Sequence, residues 1–191
     1  MSEQRPLPSG QAWRAVATCV AATFPLLAGH RVHLAEDRVG TRLRFTDGTS
    51  GRVYRETRLG SGLAKDPCTL LVTFRLRGVR GPAHTLFRRE SLLNTPLFVG
   101  FPGFTSKLWL AHDEQGRYRG VYEWDGAARA EHYARSLWRV LALVSVPGSI
   151  RYTIVPGRRR DDVITGPGLL DDVADRGTPA EEAWWRIRTG P

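Results

Sequence analysis

The sequence predicts an α+β fold of the ferredoxin-like kind, β-α-β-β-α-β, an antiparallel sheet with its helices on one face. Three observations predict it. Residues 69–77 alternate between apolar and polar side chains, as a strand does. Residues 101–124 hold two alternating stretches around the turn cluster Asp113, Glu114, Gln115 and Gly116. Ala130, Ala134, Leu137, Leu141 and Val144 recur at threes and fours, the spacing of a buried helix face.

The elements follow in order. Residues 1–9 form a polar, proline-containing arm, and Ser9 stands where it could cap a helix running to about Phe24. Trp13, Val16, Val20 and Phe24 make the apolar stripe of that helix. Three short strands are predicted at residues 30–36, 41–46 and 51–58, with Asp47-Gly48 turning the chain between the last two. Gly60, Ser61, Gly62 and Asp66-Pro67 mark a linker. The chain therefore divides into an N-terminal helix and β-hairpin extension (1–65), the ferredoxin-like domain (66–157) and a tail rich in Gly, Pro and charge (158–191).

Within the central domain, Gly81-Pro82 opens a helix carrying Leu86, Phe87, Leu93 and Leu97. Pro102-Gly103 ends that unit, and the hairpin follows. Asp125-Gly126 leads into the second helix, Pro147-Gly148 stops it, and residues 149–155 form the last strand. In the tail, Trp184-Trp185 predicts docking rather than simple disorder.

The hairpin is the most informative stretch. Centring its turn pairs Lys107 with Tyr122, Trp109 with Gly120 and Thr105 with Trp124 on one face. The other face carries the aliphatic strip Leu108, Leu110 and Val121. In the first strand Leu70, Val72, Phe74 and Leu76 alternate with Leu71, Thr73, Arg75 and Arg77. The apolar set, together with the hairpin's aliphatic strip, is expected beneath the helices. That places Thr73, Arg75, Lys107, Trp109, Tyr122, Trp124, Arg151 and Thr153 on the open face.

So aromatic a face needs a cover: a second copy of the chain, the N-terminal segment, or a ligand. Core or dimer-interface packing is the plainer reading. Unpaired charge at Arg75 and Lys107 argues against a dry interface. A pocket for a small anionic or enolisable aromatic ligand would use both cations and rings, with Arg75, Lys107, Trp109, Tyr122, Trp124 and Arg151 as substrate-binding residues.

Composition bounds the classes of function. At 191 residues and 41% hydrophobic, the chain can bury a real core. No apolar run is long enough to span a bilayer, and the N-terminus lacks a signal-peptide layout, so a soluble cytoplasmic protein is expected. Cys19 and Cys68 show no metal-binding spacing, and no metal site is expected. The net charge is +9, nearly all of it arginine, with Lys65 and Lys107 the only lysines. The basic residues are dispersed, which argues against a nucleic-acid partner. An RNA-recognition module shares the element order, and Arg119-Gly120-Val121-Tyr122-Glu123-Trp124 loosely echoes its third strand. Val121 and Glu123 depart from that pattern, and the first strand places no stacking aromatic on the open face.

Two segments together, Phe101-Pro102-Gly103-Phe104-Thr105-Ser106-Lys107-Leu108-Trp109-Leu110 and Tyr118-Arg119-Gly120-Val121-Tyr122-Glu123-Trp124, resemble the YdhR-like monooxygenases. These belong to the dimeric α+β barrel superfamily, with the antibiotic-biosynthesis monooxygenases. The resemblance covers residues 68–157. It implies a homodimer whose sheets pack into a barrel, with a pocket between each sheet and its helices or inside the barrel. It also implies oxidation of an aromatic or polyketide-type substrate, as in relatives that oxidise phenolic or anthrone-type molecules, with no metal or flavin cofactor: a base deprotonates the substrate, and the carbanion reacts with dioxygen. Other relatives bind small molecules without a known reaction or degrade haem, so a non-catalytic binding protein is the alternative. Lys107, Trp109, Tyr122 and Trp124 match the motif strands. His132, on the second helix, falls near the position of a histidine in related monooxygenases. It is the first candidate for the base, and His84 is the second.

Overall fold

The computed structural model describes residues 5–60, 62–78, 91–166 and 184–188, without the side chains of residues 91–93. The predicted first helix of the central domain, and His84 with it, lies outside the described residues except for Ser91–Leu97, which is a 3-10 helix. Among the described residues are helices α1 (Ser9–Ala28), α2 (Ala127–Val144) and α3 (Arg160–Thr165). The strands are β1 (Val32–Ala35), β2 (Arg42–Phe45), β3 (Ser50–Leu59), β4 (Pro67–Arg75), β5 (Phe104–Leu110), β6 (Arg117–Asp125), β7 (Arg151–Pro156) and β8 (Ile187–Arg188).

All eight strands join one antiparallel sheet, in the order β7-β4-β6-β5-β3-β2-β8, with β1 also paired to β3. The run β7-β4-β6-β5 is the ferredoxin-like arrangement, with the first strand of the unit between the last and the third. The N-terminal strands do not make a separate layer. β3 adds to the outer edge of β5, and an edge that would otherwise expose unpaired backbone is covered.

The hairpin register is the one its alternation predicts at Lys107–Tyr122 and Trp109–Gly120. Near Thr105 the ladder is bulged, and Phe104 rather than Thr105 stands opposite Trp124. The Phe104 ring meets the Trp124 ring edge-on at 5.6 Å. Asp113 closes the turn by accepting from the backbone N–H groups of Gln115 and Arg117. Gly116 follows at φ 73°, which favours glycine.

The main correction concerns the faces of the sheet. Leu70 stands opposite Tyr122 and Val72 opposite Gly120, so the apolar set of β4 shares its face with Lys107, Trp109, Tyr122 and Trp124. That face lies under α1, α2 and the 3-10 helix, in one core with Tyr133, Ala134 and Leu137. The aliphatic strip Leu108, Leu110 and Val121 is on the other side with Leu71. There it is covered by Val163 and Ile164 of α3 and by Trp184 and Trp185. The expectation holds for Leu70 and Val72, which lie beneath the helices, and fails for the hairpin, because both faces of this sheet are covered and low polarity does not mark the helix side.

Helix α1 corrects a second expectation. Its buried residues are Ala12, Val16, Cys19 and Thr23, whereas Trp13 and Phe24 are exposed. The reason is close approach. A Cβ on Gly100 would lie 2.1 Å from the Cys19 carbonyl oxygen, so only a stripe of small residues fits. Pro8, not Ser9, holds the N-cap position. In α2, Ala130, Ala134 and Leu137 are buried as predicted, Leu141 is half-buried, and Val144 is exposed. No described helix is long and apolar enough to cross a membrane.

Candidate functional site

A cavity of about 230 Å³ lies between the aromatic face of the sheet and α2. Tyr54, Phe98, Lys107, Trp109 and Tyr122 form one wall, and Leu137, Val140 and Leu141 form the opposite one. The exposed Leu143 and Val144 line its outer end. Gly120 completes the floor. A Cβ there would come within 2.6 Å of the Tyr122 ring, so the missing side chain is what lets that ring lie over the strand.

Lys107 is 6% exposed. Its Nζ sits 3.1 Å from the centre of the Trp109 ring, 4.5 Å from that of Phe98 and 4.7 Å from that of Tyr122. Among the described residues its contacts are these rings, and no carboxylate pairs with it. Arg55, from β3, is set against the same indole at 3.8 Å. Burial, reinforced by the Arg55 charge, holds the Lys107 amine well below the usual lysine range. Burial also lowers Arg55 from its ordinary value.

Trp109 is held in place by its Nε1–H, which donates to Thr57 Oγ1 at 3.2 Å. Tyr133 Oη donates to Tyr122 Oη at 3.2 Å. Burial raises both phenols above their ordinary value, so they remain neutral donors. The site is thus an apolar, ring-walled chamber with one amine and a phenol pair. It can hold a flat small molecule and exchange a proton with it.

The structure brings together Lys107, Trp109 and Tyr122 at the cavity. Trp124 lies deeper, fully buried against Phe104 and Tyr133, and does not line it. Arg75 and Arg151 are on the opposite face and border a separate polar depression with Thr73, Arg117, Ser149 and Trp184. His132 is exposed on α2, with its ring 6.1 Å from Phe101, and it does not reach the chamber. His84 lies outside the described residues. Among the described residues no His, Cys, Asp and Glu side chains cluster as a metal site would require.

Sequence reasoning missed Tyr133, Tyr54 and Arg55. Tyr133 had a signal, since it lies three residues after Ala130 and four before Leu137 on the same helix stripe. Arg55 and Tyr54 had none, because nothing local to β3 says that it pairs with β5.

No protein-family model matches the chain, and no curated protein matches it. Several solved structures are similar at low identity. An uncharacterised ferredoxin-fold protein related to antibiotic biosynthesis monooxygenases, from Listeria monocytogenes, is 16% identical over 57% of this chain and 64% of its own, with a TM-score of 0.39. A monooxygenase-like protein from Listeria innocua is 18% identical over 58% and 66%, with a TM-score of 0.38. A heme-degrading enzyme from Listeria monocytogenes is 17% identical over 61% and 82%, with a TM-score of 0.40. The chain thus spans about two thirds of the first two proteins. At these scores the likeness carries no argument about activity, and the fold assignment rests on the strand order itself.

Proposed function

We propose that the chain is a small-molecule enzyme of the YdhR-like kind, a cofactor-independent monooxygenase acting on an aromatic substrate held between the sheet and α2. The observation behind this reading is the Lys107 amine, buried among rings at the cavity with no carboxylate partner among the described residues. A neutral amine accepts a proton, and the ammonium it becomes then faces the substrate anion it has created. The carbanion form of an activated ring CH₂ adds dioxygen. Loss of water leaves a carbonyl, so RH₂ and O₂ give R=O and H₂O. The Arg55 charge behind Trp109 favours the anionic stage.

Lys107 takes the role that the family resemblance gave to His132 or His84. Cavity volume narrows the substrate. An apolar cavity of about 150 Å³ holds a benzene ring, so about 230 Å³ suits one substituted ring or two fused rings rather than an extended polyketide. Arg75 and Arg151 take no part in this reading.

The test is oxygen uptake with a panel of one- and two-ring phenols and cyclic 1,3-diketones, after native mass spectrometry of the purified protein for a retained ligand. Uptake by the wild type and its loss in Lys107→Met is the expected outcome. Unchanged uptake in that variant overturns the proposed role of Lys107. The second reading, a non-catalytic binder, is favoured by the absence of both His112 and His132 from the cavity lining. It predicts a bound ligand and no uptake. In either reading a homodimer would form through a surface other than the aliphatic sheet face, since α3, Trp184 and Trp185 cover that face.

A further inference from the structure

We propose that Lys107 captures carbonyl compounds: a small aromatic aldehyde or ketone entering the chamber between the sheet and α2 forms an imine with its Nζ. The inference rests on the reading that this chamber admits a small aromatic molecule, but it assigns a different reaction to the amine. Three features support it. Lys107 is one of the residues that line the cavity. No carboxylate among the described residues pairs with it, so no ion pair has to be broken before its lone pair can attack. The groups facing it are the Arg55 guanidinium from β3, the Tyr122 phenol from β6, the Phe98 ring and the Trp109 indole. An apolar surrounding and a neighbouring cation are the two settings that turn lysine from a solvated ammonium into a nucleophile.

The step balances without any further reagent. The Nζ lone pair forms a bond to the carbonyl carbon, and the C–O π pair moves onto oxygen. One amine proton transfers to that oxygen to give the carbinolamine. The hydroxyl then leaves as water with one more proton, and the nitrogen pair closes the C=N bond. Tyr122 is placed to assist the departure. Its oxygen accepts from Tyr133, and its own proton has no acceptor among the described residues. A protonated imine would keep its charge against the rings of Trp109, Phe98 and Tyr122.

The lysine content makes the test clean, because Lys65 is the only other lysine and is exposed. The full chain is treated at neutral pH with benzaldehyde and cyanoborohydride, which reduces an imine to a stable benzylamine, and the labelled peptide is mapped. Benzyl alcohol, which cannot form an imine, is titrated in parallel by tryptophan fluorescence. Labelling of Lys107 at least about tenfold faster than Lys65 is expected, because an ordinary lysine is almost wholly protonated at that pH. Lys107→Met should retain its fold, shown by circular dichroism, and lose only the Lys107 label. Equal labelling of both lysines overturns the inference. Quenching by benzyl alcohol without labelling of Lys107 overturns carbonyl capture and leaves the chamber as a binding site. If neither probe binds, both readings fall.

Discussion

On the sheet face away from α1 and α2, Arg119 donates to Asp113 at 2.6 Å and to Asp47 at 2.8 Å, and Arg160 meets Glu56 at 2.8 Å. On the face beneath those helices, Lys107 is as deeply buried and, among the described residues, meets aromatic rings, with Arg55 beyond the Trp109 indole. The first arrangement is how a fold makes a buried charge tolerable: each carboxylate and guanidinium offsets the other's desolvation. In the second, no carboxylate among the described residues faces Lys107, and burial with the Arg55 charge gives a depressed amine at a cavity. Stability explains Arg119 and Arg160. It does not explain Lys107, which is why that residue carries the functional reading.

The comparison can be broken by substitution. Arg119→Met leaves Asp113 buried without its partner and is expected to cost about 3–5 kcal/mol, read as a fall in the urea midpoint. Lys107→Met, of similar length and apolar, is expected to change stability by less than about 1 kcal/mol or to raise it. Equal losses in the two variants would show that Lys107 is as structural as Arg119. Gly120→Ala should come next in size. The new methyl meets the Tyr122 ring at 2.6 Å and should cost about 1–3 kcal/mol while narrowing the chamber, read by unfolding and by loss of benzyl alcohol binding. Tyr133→Phe removes one buried hydroxyl and should cost about 0.5–1.5 kcal/mol in the same unfolding assay.

A dependence on pH is expected as well. The folded amine of Lys107 lies well below 10.5, so between its folded value and 10.5 the unfolded chain binds the extra proton. Stability attributable to Lys107 therefore rises with pH across that window, and its burial costs most below it. Denaturation of wild type and Lys107→Met from about pH 6 to about pH 9 should show the wild type gaining on the variant. A constant gap would mean that the amine titrates alike in both states. Above pH 10 the buried phenols of Tyr122 and Tyr133, pushed up from 10.0, lower the stability of both proteins alike and leave the gap between them unchanged.

Much of the fold was legible because it is written in short periods. The hairpin register at Lys107–Tyr122 follows from alternation and a turn cluster, both local. The buried stripe Ala130, Ala134 and Leu137 follows from helical spacing. The bulge that moves Phe104 opposite Trp124 is also local, but no residue type announces it. On α1, the loud residues Trp13 and Phe24 misled, and the quiet ones, Ala12 and Cys19, make the contact. Residue size decided that helix face, through a backbone approach at Gly100 that lies far away in the sequence.

The sequence by itself determined the order of strands β1 to β7, the places of α1 and α2, the pairing within the hairpin, and the fact that Lys107, Trp109 and Tyr122 share one side of it. Local alternation and turn chemistry suffice for that. Only the tertiary structure decided that this side lies under α2, that Arg55 arrives from β3, and that Arg75 and Arg151 belong to the other face. A strand's period says which residues go together but not which layer covers them. Here both layers are apolar, and the choice is made by the register between β4 and β6 and by what the far ends of the chain bring to each side.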